Sequence, residues 1–185
     1  NNATIAASPL AYYKFYASEG GLRVPLVMSG PRISKQNEKT DEFVFVTDLT
    51  PTIISLVDLE KHDGNWKGDS IEEIIGTDFS QFLQGSESDI HSDSQAIGYE
   101  LGGNRALFKG DYKLVFNRSA VNDQKWHLFN IKIDPGEARD LAQIEPERYA
   151  EMLADYAEYE SNNNVLPMPE GYVQRREIFR GVQLN

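Results

Sequence analysis

Four short apolar runs separated by turn-forming residues dominate the second half of the chain. The runs lie at Ala96–Leu101, 105–109, 112–117 and 126–131. Gly102-Gly103-Asn104 and Gly110-Asp111 separate the first three runs, and glycine- or asparagine-containing pairs of this kind favour tight hairpin turns. The pattern therefore predicts a four-stranded antiparallel meander.

A helix is predicted after the meander. Pro146 suits the first helical position, where its missing N–H costs nothing. Apolar residues then recur close to the spacing of one helical face, at Tyr149, Met152, Leu153, Tyr156 and Tyr159. Asparagines at 162–164 end the pattern, and we expect the apolar face to pack against the meander.

The first 59 residues have a different pattern. Apolar runs at 24–28 and 43–46 predict two strands. Thr50 is a candidate N-cap, and Pro51 follows it at the first position of a helix that ends near Leu59. Strands that alternate with a helix are typical of an α/β layer.

Residues 60–94 are rich in Gly, Asp and Ser but keep apolar anchors. The segments 71–75 and 79–83 predict short helical turns within this stretch. We interpret the stretch as a connection between two structural units.

Composition narrows the possible functions. With 40% hydrophobic and 11% aromatic residues, the 185 residues can bury a sizeable core. The net charge of −11 argues against the nucleic-acid backbone as the main partner, because that backbone is itself polyanionic. No apolar run approaches the roughly 20 residues that span a bilayer. Without cysteine, the chain has no thiolate nucleophile or thiolate zinc site. We therefore expect neither nucleic acid nor a membrane as partner.

The segment 12–25 is the most unusual part of the chain. Lys14 lies among four aromatic residues and precedes the pair Gly20-Gly21. A lysine can bind an anionic oxygen, and aromatic walls strengthen that attraction by excluding water. The glycines permit positive φ and close approach of the backbone. A packed aromatic segment whose lysine reaches solvent fits the same pattern, so the residues alone leave both interpretations open.

Four motifs in this order resemble those of the sulfatase family. Lys14 followed by EGGLRVPL at 19–26 is similar to a signature late in the sulfatase catalytic domain, and DLTPTIISL at 48–56 resembles a helix of that domain. RALFKGDYKL at 105–114 resembles the family's C-terminal hairpin. WHLFN and DPGEARDL, which lie within 126–141, resemble its closing motif. Together the motifs look most like those of bacterial arylsulfatases.

The resemblance implies an α+β fold class. A C-terminal four-stranded antiparallel sheet with a packed helix would follow a remnant of an α/β domain like that of alkaline phosphatase. The remnant is expected at 1–59, a connection at 60–94, and the small C-terminal domain with its tail at 95–185.

The resemblance also implies a chemistry. In this family a formylglycine, made from the Cys or Ser of a C/S-x-P-x-R motif, attacks sulfur as its hydrate, and a divalent cation, usually calcium, offsets the charge of the sulfate. This chain contains no such motif and no matching pair of metal ligands. We therefore expect an inactive, metal-free C-terminal fragment of an arylsulfatase-like sulfuric ester hydrolase. Its parent would use calcium and formylglycine to hydrolyse an organic sulfate ester to an alcohol or phenol and sulfate.

Lys14 is the one active-site residue that the resemblance carries over, as a group that binds sulfate oxygens and stabilises developing charge. Tyr12 and Tyr13 are weaker candidates for lining the substrate pocket. Arg23 is a weak candidate for substrate binding, and a structural ion pair is its preferred role. Asp48 is expected to cap or anchor its helix rather than to bind a metal. The three histidines match no metal motif and are expected to be surface or packing residues: His62, His91 and His127.

Two alternatives stay open. The chain could come from a related phosphodiesterase or phosphonate monoester hydrolase, or it could be a binding or assembly module, which aromatic residues exposed on one face of the sheet would favour. Strands at 24–28 and 43–46 without neighbours would expose edges and apolar surface, so self-association of the fragment is also expected. For a bacterial parent, the resemblance implies a periplasmic or secreted location.

Overall fold

The computed structural model describes residues 2–62, 64–118 and 123–172 of the chain. The helices are α1 (Asn2–Ala7), α2 (Glu19–Leu22), α3 (Leu49–Leu56), α4 (Ser80–Leu83) and α5 (Pro146–Asn162). The strands are β1 (Asn65–Trp66), β2 (Asp69–Ser70), β3 (Ala96–Leu101), β4 (Asn104–Lys109), β5 (Tyr112–Phe116) and β6 (Trp126–Asn130). These elements group into two compact units. The first unit combines Asn1–Val24 with Asp93–Asn185, and the second is Pro25–Ser92.

Strands β3 to β6 form an antiparallel sheet in sequence order, as the spacing of the turn residues predicts. Gly102 and Gly103 have φ angles of 61° and 86° in the β3–β4 turn, a conformation that glycine adopts without steric cost. Because side chains alternate along each strand, Leu107, Leu114 and Leu128 form one row across the sheet.

Helix α5 covers the leucine row. Met152 and Tyr156 on the helix are buried against Leu107, Leu114 and Leu128. Tyr149, Leu153 and Tyr159 add to this contact as expected from their helical spacing. The predicted fold class is confirmed in its defining feature, a four-stranded antiparallel sheet with a packed helix.

The opposite face of the sheet is covered by residues 11–19 of the same unit, which we name the covering segment. Phe108, Lys113 and Phe129 form a row on this face and are all buried. Ala17 and Ser18 from the covering segment are buried as well. The sheet is therefore enclosed on both sides, by α5 on one and by residues from before the second unit on the other.

The second unit has a small core of its own. Its buried apolar residues are Ile33, Phe79, Phe82, Leu83 and Ile90. The β1–β2 hairpin turns through Lys67 and Gly68, both with positive φ, and was not predicted from the sequence. Helix α4 confirms the predicted helical turn at 79–83, whereas 71–75 is not helical and that prediction is wrong.

The two strands predicted in the first 59 residues are not formed. Residues 24–28 and 43–46 are irregular apart from the first residue of a 3-10 turn, Val46–Asp48. A strand needs a neighbour to satisfy its backbone, and no other described segment pairs with either run. The helix that follows begins at Leu49 with Asp48 at the N-cap position, so the predicted Thr50 cap is wrong.

The domain boundaries expected from the resemblance stay a prediction. Within this chain, packing joins Asn1–Val24 to the sheet and helix that follow Asp93. These two parts of the chain group together because the covering segment contacts the sheet.

A substitution at Gly98 tests how closely α5 packs on the sheet. A Cβ added at Gly98 would lie 2.2 Å from Tyr159 Cγ, so Gly98→Ala should lower the free energy of unfolding by about 1–3 kcal/mol through overpacking. Gly30→Ala is the matched control, because no atom lies within 4 Å of its added Cβ. Chemical denaturation of both variants checks this, and equal stabilities would contradict the packing described.

Candidate functional site

The segment that carries Lys14 has an unusual backbone. Tyr12 and Phe15 have φ angles of 60° and 84°, which are uncommon for residues with bulky side chains. Such conformations cost free energy and persist only where the surrounding structure fixes them. Lys14, between them, is exposed, with its Nζ 5.1 Å from the centroid of the Phe15 ring. The segment thus presents a lysine ammonium to solvent from a constrained backbone.

The glycine pair that follows is required by close backbone contact. A Cβ at Gly20 would lie 2.4 Å from the Tyr12 carbonyl oxygen, and one at Gly21 would lie 2.2 Å from the Tyr16 carbonyl oxygen. Gly20 N also donates a hydrogen bond to the Ala11 carbonyl at 2.8 Å. Of the two reasons for glycine expected from the sequence, close approach is confirmed. Positive φ is not used at either position.

A buried cluster of three charged residues connects the turn that contains Gly20 and Gly21, named here the glycine turn, to the sheet. Lys113 Nζ donates a hydrogen bond to Glu19 Oε1 at 2.9 Å and forms an ion pair with Glu137 Oε1 at 2.9 Å. The side chains of Lys113, Glu19 and Glu137 are 0%, 5% and 2% exposed. The Lys113–Glu137 contact is not aligned as a hydrogen bond. Glu137 Oε2 also accepts a hydrogen bond from Glu19 N at 3.1 Å, so the two glutamates are linked directly.

The cluster joins three of the sequence motifs. Glu19 comes from EGGLRVPL, Lys113 from the β4–β5 hairpin and Glu137 from DPGEARDL. Glu137 has a φ of 52°, and Asp134 stabilises the preceding turn by accepting hydrogen bonds from Ala138 N and Arg139 N at 2.9 and 2.8 Å. The local turn therefore aims the Glu137 carboxylate at Lys113.

Two asparagines, one at the start of β4 and one directly after β5, hold the covering segment by hydrogen bonds. Asn117 Oδ1 accepts a hydrogen bond from Ala17 N at 2.7 Å, and its Nδ2 donates to Ser18 Oγ at 2.8 Å. Asn104 Nδ2 donates to the Phe15 carbonyl at 2.7 Å. These contacts satisfy polar groups that the sheet would otherwise bury without partners. They fix residues that closely follow Lys14.

Arg23 lies at the end of the glycine turn. Its Nη1 is 3.7 Å from Glu19 Oε2, so the ion pair expected from the sequence is present. About half of the Arg23 side chain is exposed. A role of Arg23 in substrate binding stays a prediction.

A cavity of about 300 Å³ lies on the same face of the sheet. It is lined by residues of the covering segment, of β5 and β6, of the chain next to these strands and of the turn that carries Glu137. Among them are Tyr12, Ser18, Asn117, Asp123, His127 and Glu137. Tyr12 stacks on Tyr16 with ring centroids 4.7 Å apart, and Tyr13 meets Tyr16 edge to face at 5.3 Å. Tyr12 thus borders a cavity, whereas Tyr13 is not among its lining residues. Substrate binding by either tyrosine stays a prediction.

Partial burial raises the pKa of the Tyr12 hydroxyl, and the negative charges of Asp123 and Glu137 raise it further. Tyr12 is therefore a neutral hydroxyl on the cavity wall at ordinary pH.

Asp48 anchors its helix, as expected from the sequence. Its buried carboxylate accepts hydrogen bonds from Phe45 N and Thr77 N at 2.7 and 2.8 Å and lies 2.9 Å from His91 Nε2. Burial opposes the charge, but the hydrogen bonds from His91 and the two backbone N–H groups outweigh it and lower the pKa of Asp48. His91 therefore has a packing role within the second unit.

In the described ranges, no group of three or more Asp, Glu or His side chains is arranged to hold a metal ion. These ranges also contain no helix long and apolar enough to cross a membrane.

Comparison with known proteins places the chain in a family. Residues 11–160 match the family model of the N-sulphoglucosamine sulphohydrolase C-terminal region. An uncharacterized sulfatase of Schizosaccharomyces pombe is 30% identical over 172 residues, which cover 92% of this chain and 31% of that protein. The chain therefore belongs to the N-sulphoglucosamine sulphohydrolase C-terminal family, and its predicted likeness to the C-terminal portion of a sulfatase is confirmed.

Solved structures share the fold. Ps i-CgsB, crystallised in complex with k-i-k-neocarrahexaose, is 22% identical with a TM-score of 0.66, and the match covers 94% of this chain and 36% of that one. A 2-O GAG sulfatase is 20% identical with a TM-score of 0.55 over 74% of this chain and 29% of that one. The chain spans about a third of the length of these proteins.

Sequence reasoning identified the exposed lysine but missed the buried one. A signal was present, because Lys113 interrupts the apolar run Tyr112–Phe116 at a position that alternation assigns to the covered face. A charged residue there needs buried partners of opposite sign. Its partners, Glu19 and Glu137, lie 94 and 24 residues away along the chain, so spacing gave no sign of them.

The charge cluster can be tested by removing its cation. Lys113→Met would leave two buried carboxylates without a counterion, and we expect a loss of about 3–5 kcal/mol in the free energy of unfolding. Lys132→Met is the matched control, since its ion pair with Asp111 is exposed and worth at most about 1 kcal/mol. Urea denaturation measures both.

The triple variant Lys113→Met, Glu19→Gln, Glu137→Gln removes all three charges and should recover part of the loss. If Lys113→Met were as stable as Lys132→Met, the cluster would not hold the segment as described.

Proposed function

We propose that this chain is the C-terminal part of an arylsulfatase-like sulfuric ester hydrolase, which converts an organic sulfate ester and water to an alcohol or phenol and sulfate. The match of 11–160 to a sulphohydrolase family is the observation that carries this proposal. The sulfatase of Schizosaccharomyces pombe, with 30% identity over nearly the whole chain, supports it.

Lys14 is proposed to contact the sulfate group. Three features support this: its ammonium is exposed, its backbone is held by contacts of Phe15 and Ala17 with the sheet, and it precedes the glycine turn that the Lys113 cluster anchors. A positive charge held in place before the reaction stabilises negative charge that develops on the sulfate and leaving oxygens. Tyr12 and Arg23 are proposed to line the substrate side of the same segment.

The parent enzyme is proposed to use formylglycine as nucleophile and calcium to offset sulfate charge. In the part of the chain that the structure describes, no group of three or more acidic or histidine side chains is arranged to hold such a cation. The contribution of these 185 residues is to supply and orient Lys14.

The family description supports a sulfated amino sugar as a second candidate substrate class beside aryl sulfates. A related phosphodiesterase or phosphonate monoester hydrolase is less well supported, because the matched family is named for a sulphohydrolase and the relative from Schizosaccharomyces pombe is named as a sulfatase.

The alternative of a binding module loses its main support in the structure. Exposed aromatic residues on one sheet face would have favoured it. Instead, Trp126 packs with its ring centroid 4.7 Å from that of Tyr156 on α5, and Phe116 lies 5.5 Å from Trp126. Phe108 and Phe129 on the opposite face are buried.

Self-association of the isolated chain stays a proposal. Val24 and Val27 are 78% and 89% exposed, so an apolar stretch faces solvent in the monomer. For a bacterial parent we propose a periplasmic or secreted location.

The role of Lys14 can be tested in a sulfatase polypeptide that includes this chain. Lys14→Ala should lower kcat/KM about 100- to 1,000-fold, with unchanged thermal stability, because one preorganised charge is removed from the transition state. Lys39→Ala, at another exposed lysine, is the matched control and should leave activity unchanged. Full activity of the Lys14→Ala enzyme would exclude the proposed contact.

The isolated 185-residue chain should not turn over substrate. It lacks the C/S-x-P-x-R motif whose first residue would become formylglycine. The test is an assay of the purified chain with an aryl sulfate and with N-sulfoglucosamine, with and without calcium, beside the longer polypeptide as positive control. Calcium-dependent hydrolysis by the chain alone would refute this expectation.

A further inference from the structure

His127 on β6 contacts a carboxylate with each of its ring nitrogens. Nδ1 lies 2.8 Å from Asp140 Oδ2, and Nε2 lies 2.9 Å from Asp123 Oδ1. A carboxylate only accepts hydrogen bonds, so both contacts are favourable at once only if both nitrogens carry a proton. The geometry therefore belongs to the protonated imidazolium.

The two carboxylates are held in unequal ways. Asp140 Oδ1 accepts hydrogen bonds from Leu128 N at 3.1 Å and Ala142 N at 2.9 Å, independently of the histidine. Besides its contact with His127, Asp123 Oδ1 accepts a hydrogen bond from Lys125 N at 3.1 Å, two residues away. Asp140 is therefore fixed to the strand and the following turn, whereas Asp123 is fixed mainly through His127.

Other charged and titratable groups face this trio. Lys125 and Glu137 line the same cavity as Asp123 and His127. The charge of Asp123 acts on the Tyr12 hydroxyl across this cavity, and the charge of Asp140 acts on the Tyr149 hydroxyl from α5. The ring of His127 stacks on Phe129, with centroids 6.2 Å apart. Protonation of His127 thus changes the net charge on the wall that Tyr12 borders.

We propose that His127 is a pH-sensitive contact in the cavity wall. When the imidazole is protonated, it holds Asp123 at the wall beside Tyr12. When it loses a proton, it keeps Nδ1–H bonded to Asp140 and its bare Nε2 repels Asp123, whose side chain is released. The inference concerns the chain itself and does not depend on the proposed sulfatase activity.

The direction of pH dependence follows from the shifts of the three groups. Partial burial opposes the imidazolium, but the hydrogen bonds that the ring donates to Asp123 and Asp140 outweigh it, and the pKa of His127 is raised above 6.5. The hydrogen bond from His127 lowers the pKa of Asp123 below 3.8; for Asp140, burial acts in the opposite direction and is outweighed by its hydrogen bonds.

Because the pKa of His127 is higher in the folded chain, its contribution to the free energy of unfolding is complete below pH 6.5. That contribution is lost as the pH rises through the pKa of His127 in the folded chain. The contributions of the two aspartates are complete above 3.8 and are lost as pH falls through their folded values. The contact is therefore fully formed between these two limits and opens on the alkaline side.

Nuclear magnetic resonance of the labelled chain tests the proposal. The His127 imidazole nitrogens are followed from pH 4 to 9 and assigned by their loss in His127→Gln. We expect a midpoint above 6.5 and an Nδ1–H tautomer above that midpoint. The amide of Lys125, which is bonded to Asp123, should shift with the same midpoint and by more than the amide of Ala142. An Nε2–H tautomer, or a Lys125 amide that does not follow His127, would overturn the proposal.

Two matched variants separate the roles of the carboxylates. Asp123→Asn should lower the His127 midpoint and leave the Nδ1–H tautomer unchanged. Asp140→Asn should also lower the midpoint but reverse the tautomer to Nε2–H, because Asp123 is then the carboxylate that remains. Both side chains keep an acceptor oxygen, so the backbone contacts survive and the fold is retained. If Asp140→Asn left the tautomer as Nδ1–H, Asp140 would not be the fixed partner.

Discussion

A lysine ammonium held away from water between two carboxylates is the constraint on which the first unit depends. Lys113 lies in the middle of the sheet on the face that the N-terminal segment covers, and its side chain is fully buried. A buried charge is tolerated only if partners replace the hydration it has lost. Glu19 and Glu137 supply that replacement from two separate parts of the chain. The turn that follows Glu19, the turn that carries Glu137 and the sheet must therefore come together for any of the three charges to be accommodated.

Much of the sheet could be predicted from sequence because its contacts are local. The β3–β4 and β4–β5 hairpins join neighbouring strands through short turns, so Gly102-Gly103 and Gly110-Asp111 already locate the pairing, and the apolar spacing of α5 indicates which face packs. The runs at 24–28 and 43–46 have the same apolar character but no local partner. Strand formation depends on pairing as much as on composition, so pattern alone gave the wrong prediction there.

The candidate site was predictable only in part, for a related reason. Lys14 was identified by resemblance, and the structure adds that its backbone is constrained by Tyr12 and Phe15 with positive φ and by Asn104 bonded to the Phe15 carbonyl. No rule of spacing connects Asn104 or Asn117 with residues about 90 to 100 positions earlier. Those pairings follow from the covering of a sheet face by a distant segment, which a single sequence does not specify.

Because the cluster is ionic, it fixes the position of the covering segment along the sheet more strictly than an apolar contact would. Three leucines in the place of the charged side chains would pack nearly as well if the covering segment slid by a residue along the sheet. With Lys113, such a slide would separate the ammonium from Glu19 and leave the Glu19 carboxylate buried without its counterion, at a cost of several kcal/mol. A buried pair of this kind need not stabilise the fold more than apolar residues would. It does penalise every other register of the segment, and Lys14, five residues before Glu19, is held in its position relative to the sheet by that penalty.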